Sequence, residues 1–149
     1  MIESDGHFSV RSTLTGKYPK IECKFELSQR QIDHLGFDNK LFLVNIANLL
    51  NSSIQNIREN TANPQYRLRT TNLRLRRNLI LVSYLEEFPL FGSKYLDYVN
   101  WKEILNYFID GFKYTPENIN KVLELKSEMN DNRTIFNWNH LNKFYKLDY

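Results

Sequence analysis

The stretch Lys20-Ile21-Glu22-Cys23-Lys24-Phe25-Glu26-Leu27-Ser28 decides the fold, because polar and apolar side chains alternate along it without interruption. A period of two places successive side chains on opposite sides of a β-strand, so one side packs and the other meets solvent. Residues 7–14 alternate in the same way, and Thr15-Gly16-Lys17 between the two segments is a turn sequence. Together they predict a β-hairpin.

The next segments predict a second pair of strands with a helix on either side. Residues 39–51 are apolar at helical offsets, residues 53–59 and 66–71 alternate as strands, and Asn72 can cap a following helix. The first half therefore has the order strand, strand, helix, strand, strand, helix. The predicted buried faces are Phe42, Ile46, Leu49 and Leu50 in the first helix, and Leu75, Leu79, Val82 and Leu85 in the second.

The remainder of the chain predicts helices. An apolar stripe runs from Tyr98 to a stop at Gly111, and Thr115-Pro116-Glu117 is a helix start with Thr as the cap and Pro in the first turn. Residues 137–149 form an aromatic tail that either docks or frays. The prediction is an α+β fold with a four-stranded antiparallel sheet, in one domain of residues 1–149: a ββαββα core (1–88) and a C-terminal helical extension (89–149). The predicted stripe of the last long helix is Ile119, Val122, Leu123 and Met129.

The amino-acid composition excludes several classes of protein and several kinds of site. The chain has 149 residues and is 42% hydrophobic, enough for one buried core and too apolar for a disordered tail. A lone Cys23 and three scattered His exclude a disulfide framework and a closed zinc site. Apolar runs such as residues 41–44 are too short to span a bilayer, so no membrane partner is expected. The net charge of +3 is modest, so the placement of the cations must identify the partner.

Cations gather on the polar side of the predicted strands. An antiparallel sheet often leaves one side wet, so an ordinary solvated face remains one interpretation. The other is a nucleic-acid surface, with cations for phosphates and hydrogen-bonding groups for base edges. Few aromatics lie on that side, which favours duplex over stacked single strands. The polar side carries Arg11, Lys20, Lys24, Arg67 and Arg69, interleaved with Ser9, Thr13, Glu22, Glu26, Gln55 and Ser28.

Two carboxylates precede the first strand. Glu3 and Asp5 diverge on a helix, so one metal ion need not bind both. Asp5, beside Gly6, would point towards the cationic side and could hold a divalent cation against a phosphodiester. The alternative is that the two residues are simply an acidic N-terminal cap.

These residues carry a resemblance to the LAGLIDADG homing endonucleases. Ile2-Glu3-Ser4-Asp5-Gly6 resembles the last five positions of that motif, and Phe8 is also usual there. The order of elements resembles the family core over nearly the whole chain. Further similarity, to fungal mitochondrial intron-encoded members, lies in Tyr66-Arg67-Leu68, Thr71-Asn72-Leu73, Phe88-Pro89-Leu90-Phe91-Gly92-Ser93-Lys94-Tyr95-Leu96-Asp97-Tyr98, Trp101, Leu125-Lys126-Ser127, Met129-Asn130, Arg133 and Phe136-Asn137-Trp138.

The resemblance implies roles for individual residues. Asp5, the acid before the closing Gly, would be the catalytic, metal-binding carboxylate with Mg²⁺ as the cofactor, and Gln29 would lie near the scissile phosphate. The sheet would straddle the major groove of double-stranded DNA. The chain starts inside the motif and has one copy of it, so a second LAGLIDADG half is expected, as a homodimer or a separate chain. The implied DNA contacts are His7, Ser9, Arg11, Lys20, Glu22, Lys24, Glu26, Arg67 and Arg69.

Three functions remain open on the sequence. The first is a metal-dependent DNA endonuclease encoded by an intron. The second is a maturase or ribonucleoprotein subunit that binds intron RNA without cleaving DNA. The third is a remnant that barely folds. With 18 Asn and only Ala47 and Ala62 as alanines, the composition suggests AT-rich codons, as in an organellar or other AT-rich genome. The resemblance to fungal mitochondrial intron-encoded members implies the mitochondrion.

Overall fold

Four antiparallel strands form one sheet in the order β1-β2-β4-β3, with the long helices packed on one side of it. The computed structural model describes residues 2–71 and 75–143. The strands are β1 (Gly6–Thr13), β2 (Lys20–Arg30), β3 (Gln55–Ile57) and β4 (Gln65–Thr71). The helices are α1 (Ile2–Asp5), α2 (Lys40–Leu49), α3 (Leu75–Glu87), α4 (Lys94–Ile109) and α5 (Pro116–Ser127), with 3₁₀ turns at Asn130–Asn132 and Asn139–Lys143.

The strand register decides which side chains share a face. His7 lies opposite Glu26, which in turn lies opposite Arg69, and Gln55 lies opposite Arg67. Directly opposed residues of neighbouring strands point to the same side of a sheet. We call the side that carries these residues the open face; it comprises His7, Ser9, Arg11, Thr13, Lys20, Glu22, Lys24, Glu26, Ser28, Gln55, Arg67 and Arg69.

The packed face is the other side of the same strands, and it forms the hydrophobic core. Phe8 lies against Phe25 and the indole of Trp101, with ring centroids 5.1 and 5.2 Å apart, respectively. All three side chains are buried. Because Trp101 belongs to α4, this helix of the C-terminal extension shares one core with the first hairpin. Other fully buried members are Ile21, Leu27, Leu43, Leu50, Leu68, Leu81, Ile104, Leu105 and Val122.

A buried polar link joins α3 to the sheet. The Asn78 amide donates to the carbonyl oxygen of Cys23 at 3.3 Å and accepts from the hydroxyl of Thr70. The link pairs polar groups whose burial would otherwise cost stability. Burial also raises the pKa of the Cys23 thiol to about 12.

The predicted strand and helix order is confirmed, but two helix faces were only partly right. As predicted, Leu50 and Leu85 are buried, and Ile46 and Val82 pack against the core. In α2 the side chains of Phe42 and Leu49 are 65% and 45% exposed, and the helix packs through Leu43 and Ala47 instead. In α3, Leu79 is 37% exposed. Both helices are apolar on more than one side, so a helical period fits two adjacent faces, and only contact with the sheet selects between them. The predicted cap Asn72 lies outside the described residues.

The C-terminal signals are confirmed where the structure describes them. Thr115 caps α5 by accepting a hydrogen bond from the Asn118 amide at 3.2 Å, and Gly111 follows the end of α4 with a φ of +87°. Met129 is buried, although it lies beyond the end of α5. The described part of the tail, residues 137–143, docks: the His140 ring stacks on Tyr95 with centroids 4.2 Å apart. None of the described helices could span a membrane.

Candidate nucleic-acid interface

The open face brings together all nine of the DNA contacts implied by the resemblance. Arg11 of β1 lies opposite Glu22 of β2, and Ser9 lies opposite Lys24. Arg67 and Arg69 of β4 face the same side, because Leu68 between them is buried. The structure thus gathers five cations and two carboxylates on one surface, which can attract a polyanion.

The two carboxylates of the open face are engaged by cations. Glu22 lies 2.9 Å from Lys20, and Glu26 lies 3.8 Å from Arg69. The hydrogen bond from Lys20 lowers the pKa of Glu22, helped by the charges of Lys20, Lys24 and Arg11, although partial burial opposes the shift. The lowered pKa keeps Glu22 charged at neutral pH, in an ion pair with Lys20.

A groove extends the open face beyond the end of β4, and sequence reasoning missed this part. Arg77 of α3 lines the groove together with Lys24, Arg69, Ser52 and Ser53. The Ser52 hydroxyl donates to the carbonyl oxygen of Arg69 at 3.1 Å, which holds this loop along the strand. The Arg76-Arg77 pair directly after a cationic strand was the available signal, but the rotation of α3 decides which arginine enters the groove.

Asp5 and Gln29 meet at one end of the sheet. The Gln29 side-chain amide lies 3.3 Å from an Asp5 carboxylate oxygen and donates to it. The side-chain oxygen of Gln29 is buried and has no hydrogen-bond partner among the described residues. Asp5 and Gln29 line one depression with Ser28, Arg30 and Asn39. Two residues that are 24 positions apart in sequence are thus adjacent, and the depression borders the open face at Ser28.

Glu3 has a different role. Its carboxylate accepts hydrogen bonds from the backbone amides of Phe91 and Gly92, both at 2.8 Å, and so fixes the segment before α4. Gly6 makes the tight junction between α1 and β1, because a Cβ there would come within 2.7 Å of the Ile2 carbonyl oxygen. Glu3 and Asp5 diverge as predicted, and Asp5 is the one that reaches Gln29.

The oxygen atoms around Asp5 fit a hard divalent cation whose remaining ligands come from water or from substrate phosphates. Within residues 2–71 and 75–143, no three His, Cys, Asp or Glu side chains converge on one point. Mg²⁺ is typically bound by one or two carboxylates, water and substrate phosphates, so a closed protein cage is not required. The Asp5 carboxylate and the unpartnered Gln29 oxygen are both oxygen donors of the kind it prefers.

Residues 1–105 match the sequence profile of the LAGLIDADG endonucleases. This chain belongs to the LAGLIDADG endonuclease family. A curated relative, the probable intron-encoded DNA endonuclease aI1 of Mycosarcoma maydis, is 36% identical over 55 residues, which cover 37% of this chain and 46% of the relative. The chain therefore spans less than half the length of this relative. Members of the family are in general metal-dependent nucleases.

Solved LAGLIDADG structures share the fold. I-LtrWI bound to target DNA superposes with a TM-score of 0.71 at 23% identity, covering 89% of this chain and 43% of that one. I-SmaMI bound to uncleavable DNA gives 0.74 at 20% identity, with the same coverage. I-TnaI gives 0.69 at 20% identity and covers 95% of this chain and 88% of that one. The α+β fold predicted from sequence is confirmed.

Proposed function

We propose that this chain binds double-stranded DNA through the open face and contributes Asp5 and Gln29 to a metal-dependent phosphodiester-cleaving centre. The observation that carries the proposal is the adjacency of that pair to a cationic sheet. The proposed DNA contacts are His7, Ser9, Arg11, Lys20, Glu22, Lys24, Glu26, Arg67 and Arg69.

Binding to duplex DNA follows from the composition of the open face. Cations such as Arg11 and Lys24 can neutralise phosphates, and polar groups between them can reach base edges in the major groove, which is wide enough for a β-ribbon. No aromatic side chain lies on the open face of the described strands, so bases have no ring to stack on. The surface therefore fits a paired duplex better than unpaired bases.

Cleavage would rest on Asp5 and on how Gln29 positions it. The Gln29 amide restrains the Asp5 carboxylate, and both side chains line the depression. Mg²⁺ bound there would polarise the phosphate and stabilise the leaving oxygen. The unpartnered Gln29 oxygen could serve as a second oxygen donor to that ion beside Asp5.

The proposed unit is incomplete by itself. Asp5 supplies one carboxylate, so we propose that a second LAGLIDADG half, either another copy or a separate polypeptide, supplies the other. Residues 1–149 would then act as one domain, with residues 89–149 extending the core of residues 1–88. The Asn-rich composition and the intron-encoded relative support expression from a mitochondrial intron.

The test compares two Asp→Asn variants at two Asp-Gly sequences. Asp5→Asn should abolish Mg²⁺-dependent nicking of a plasmid that carries the intronless allele, while DNA binding is retained. Asp110→Asn is the matched control, because Asp110 also precedes a glycine but only ends α4. It should cleave like wild type. Binding is measured by gel shift, and nicking by loss of supercoiled plasmid.

The same assay distinguishes the second candidate, an RNA-binding maturase. That role is favoured by the cations of the open face, since RNA binding needs these cations but not Asp5. Wild-type protein that binds the intron RNA, with affinity unaffected by Asp5→Asn, and that never nicks the plasmid would overturn cleavage by a homodimer of this chain. Nicking that is equally fast in Asp5→Asn would overturn the role of Asp5.

A further inference from the structure

We propose that Arg67, oriented by Gln55, reads a guanine in the major groove and so determines part of the target sequence. The inference rests on the proposed binding of duplex DNA through the open face. It adds a base specificity to one position of that face.

One hydrogen bond restrains the terminal end of the Arg67 guanidinium, and its other end is buried. Arg67 lies on β4 between Ser28 and Gln55 of the two neighbouring strands. One of its terminal nitrogens donates to the Gln55 side-chain oxygen at 3.2 Å, at the exposed surface of the sheet. Its Nε is buried and has no hydrogen-bond partner among the described residues. The buried Nε leaves only the terminal end of the guanidinium to reach a ligand.

Apart from the hydrogen bond between them, the side chains of Arg67 and Gln55 offer only hydrogen-bond donors to a ligand. A guanidinium carries only donors, so the Gln55 amide must turn its oxygen towards Arg67 and its NH₂ group away. Guanine presents two neighbouring acceptors in the major groove, O6 and N7. Adenine and cytosine each present an amino donor there, and thymine presents a single acceptor beside a methyl group. A surface made of donors therefore matches guanine.

Arg69, two residues along the same strand, has a different partner. Its guanidinium faces the Glu26 carboxylate at 3.8 Å, so that pair offers acceptors as well as donors. Two strand residues span roughly 7 Å, which is about two base-pair steps of B-DNA. Arg69 thus provides an internal control, because a substitution there should affect a different base pair from the one beside Arg67.

The experiment uses the 149-residue chain to select bound duplexes from a randomised double-stranded DNA library, and the selected duplexes are sequenced. Wild-type protein should enrich a G·C pair at one position. Arg67→Lys keeps the charge but loses the planar fork, so the preference for that pair should fall roughly ten- to a hundredfold. Arg69→Lys should leave that preference intact. Gln55→Ala, which changes no charge, should weaken the preference at the same position as Arg67→Lys does.

Each result decides between the two proposals. If wild-type protein enriches no duplex and binds none, the proposed function and this inference both fail. If Arg67→Lys binds DNA and keeps every base preference, only the guanine assignment is overturned. The same holds if Arg69→Lys, rather than Arg67→Lys, removes the G·C preference. Circular dichroism melts of each variant ensure that a lost preference does not reflect lost folding.

Discussion

The two faces of the sheet consist of the same strands, but the packed face stabilises the fold and the open face carries the charges proposed to bind DNA. Phe8 and Phe25 on the packed face are almost completely buried, whereas Arg11 and Lys24 lie on the open face of the same two strands. Burial of apolar area stabilises the fold in proportion to that area, while the charges opposite contribute little to folding. Stability and binding are therefore separable between adjacent positions of one strand.

The largest expected effect would be on the packed face. Phe8→Ala removes a fully buried ring that contacts Phe25, Tyr98 and Trp101, and should cost about 3–5 kcal/mol of unfolding free energy. Arg11→Ala, three residues along the strand, should change it by less than about 0.5 kcal/mol. Urea denaturation measures both. Equal losses of unfolding free energy in the two variants would show that the two faces contribute equally to stability.

An intermediate effect is expected in the salt dependence of DNA binding. Arg77→Ala and Arg11→Ala should each lower the slope of log affinity against log salt by about 1, because each removes one cation from the groove. Lys113→Ala, in the exposed loop after α4, is the control and should leave the slope unchanged. Titrations at several salt concentrations measure the slope. If Arg77→Ala behaves like the control, the groove does not belong to the interface.

The smallest effect concerns Glu22. Because its folded-state pKa is lowered, the stabilisation from Glu22 is present above its ordinary pKa of 4.5 and is lost as the pH falls through the folded value. Wild type should therefore be more stable than Glu22→Gln at neutral pH, by about 1 kcal/mol or less, and this advantage should shrink in acid. Thermal melts of both proteins, from neutral pH down into the acid range, measure this difference in stability.

The Glu22→Gln variant also tests how the charge of the open face affects DNA binding. Glu22→Gln removes a negative charge from the open face, so the variant should bind DNA more tightly than wild type at low salt. Weaker binding would mean that Glu22 is needed to hold Lys20 in place.

Strands were predicted more reliably than helix faces, for a physical reason. In β2 a shift of one residue would turn Lys24 into the core and expose Phe25, so the alternation permits only one orientation. In α2 the choice between Phe42 and Leu43 changes little in apolar content, and sequence reasoning chose wrongly. Arg77 was missed because its position depends on the rotation of α3.

The sequence by itself determined the two-sided sheet, because a period of two leaves each strand a single way to bury its apolar residues. It also determined that Asp5 ends a short helix and that Glu3 and Asp5 point apart. Only the tertiary structure decided that Gln29 reaches Asp5 and that Gln55 orients Arg67. Those contacts join residues 24 and 12 positions apart, and their distances follow from strand pairing and packing, which no local pattern encodes.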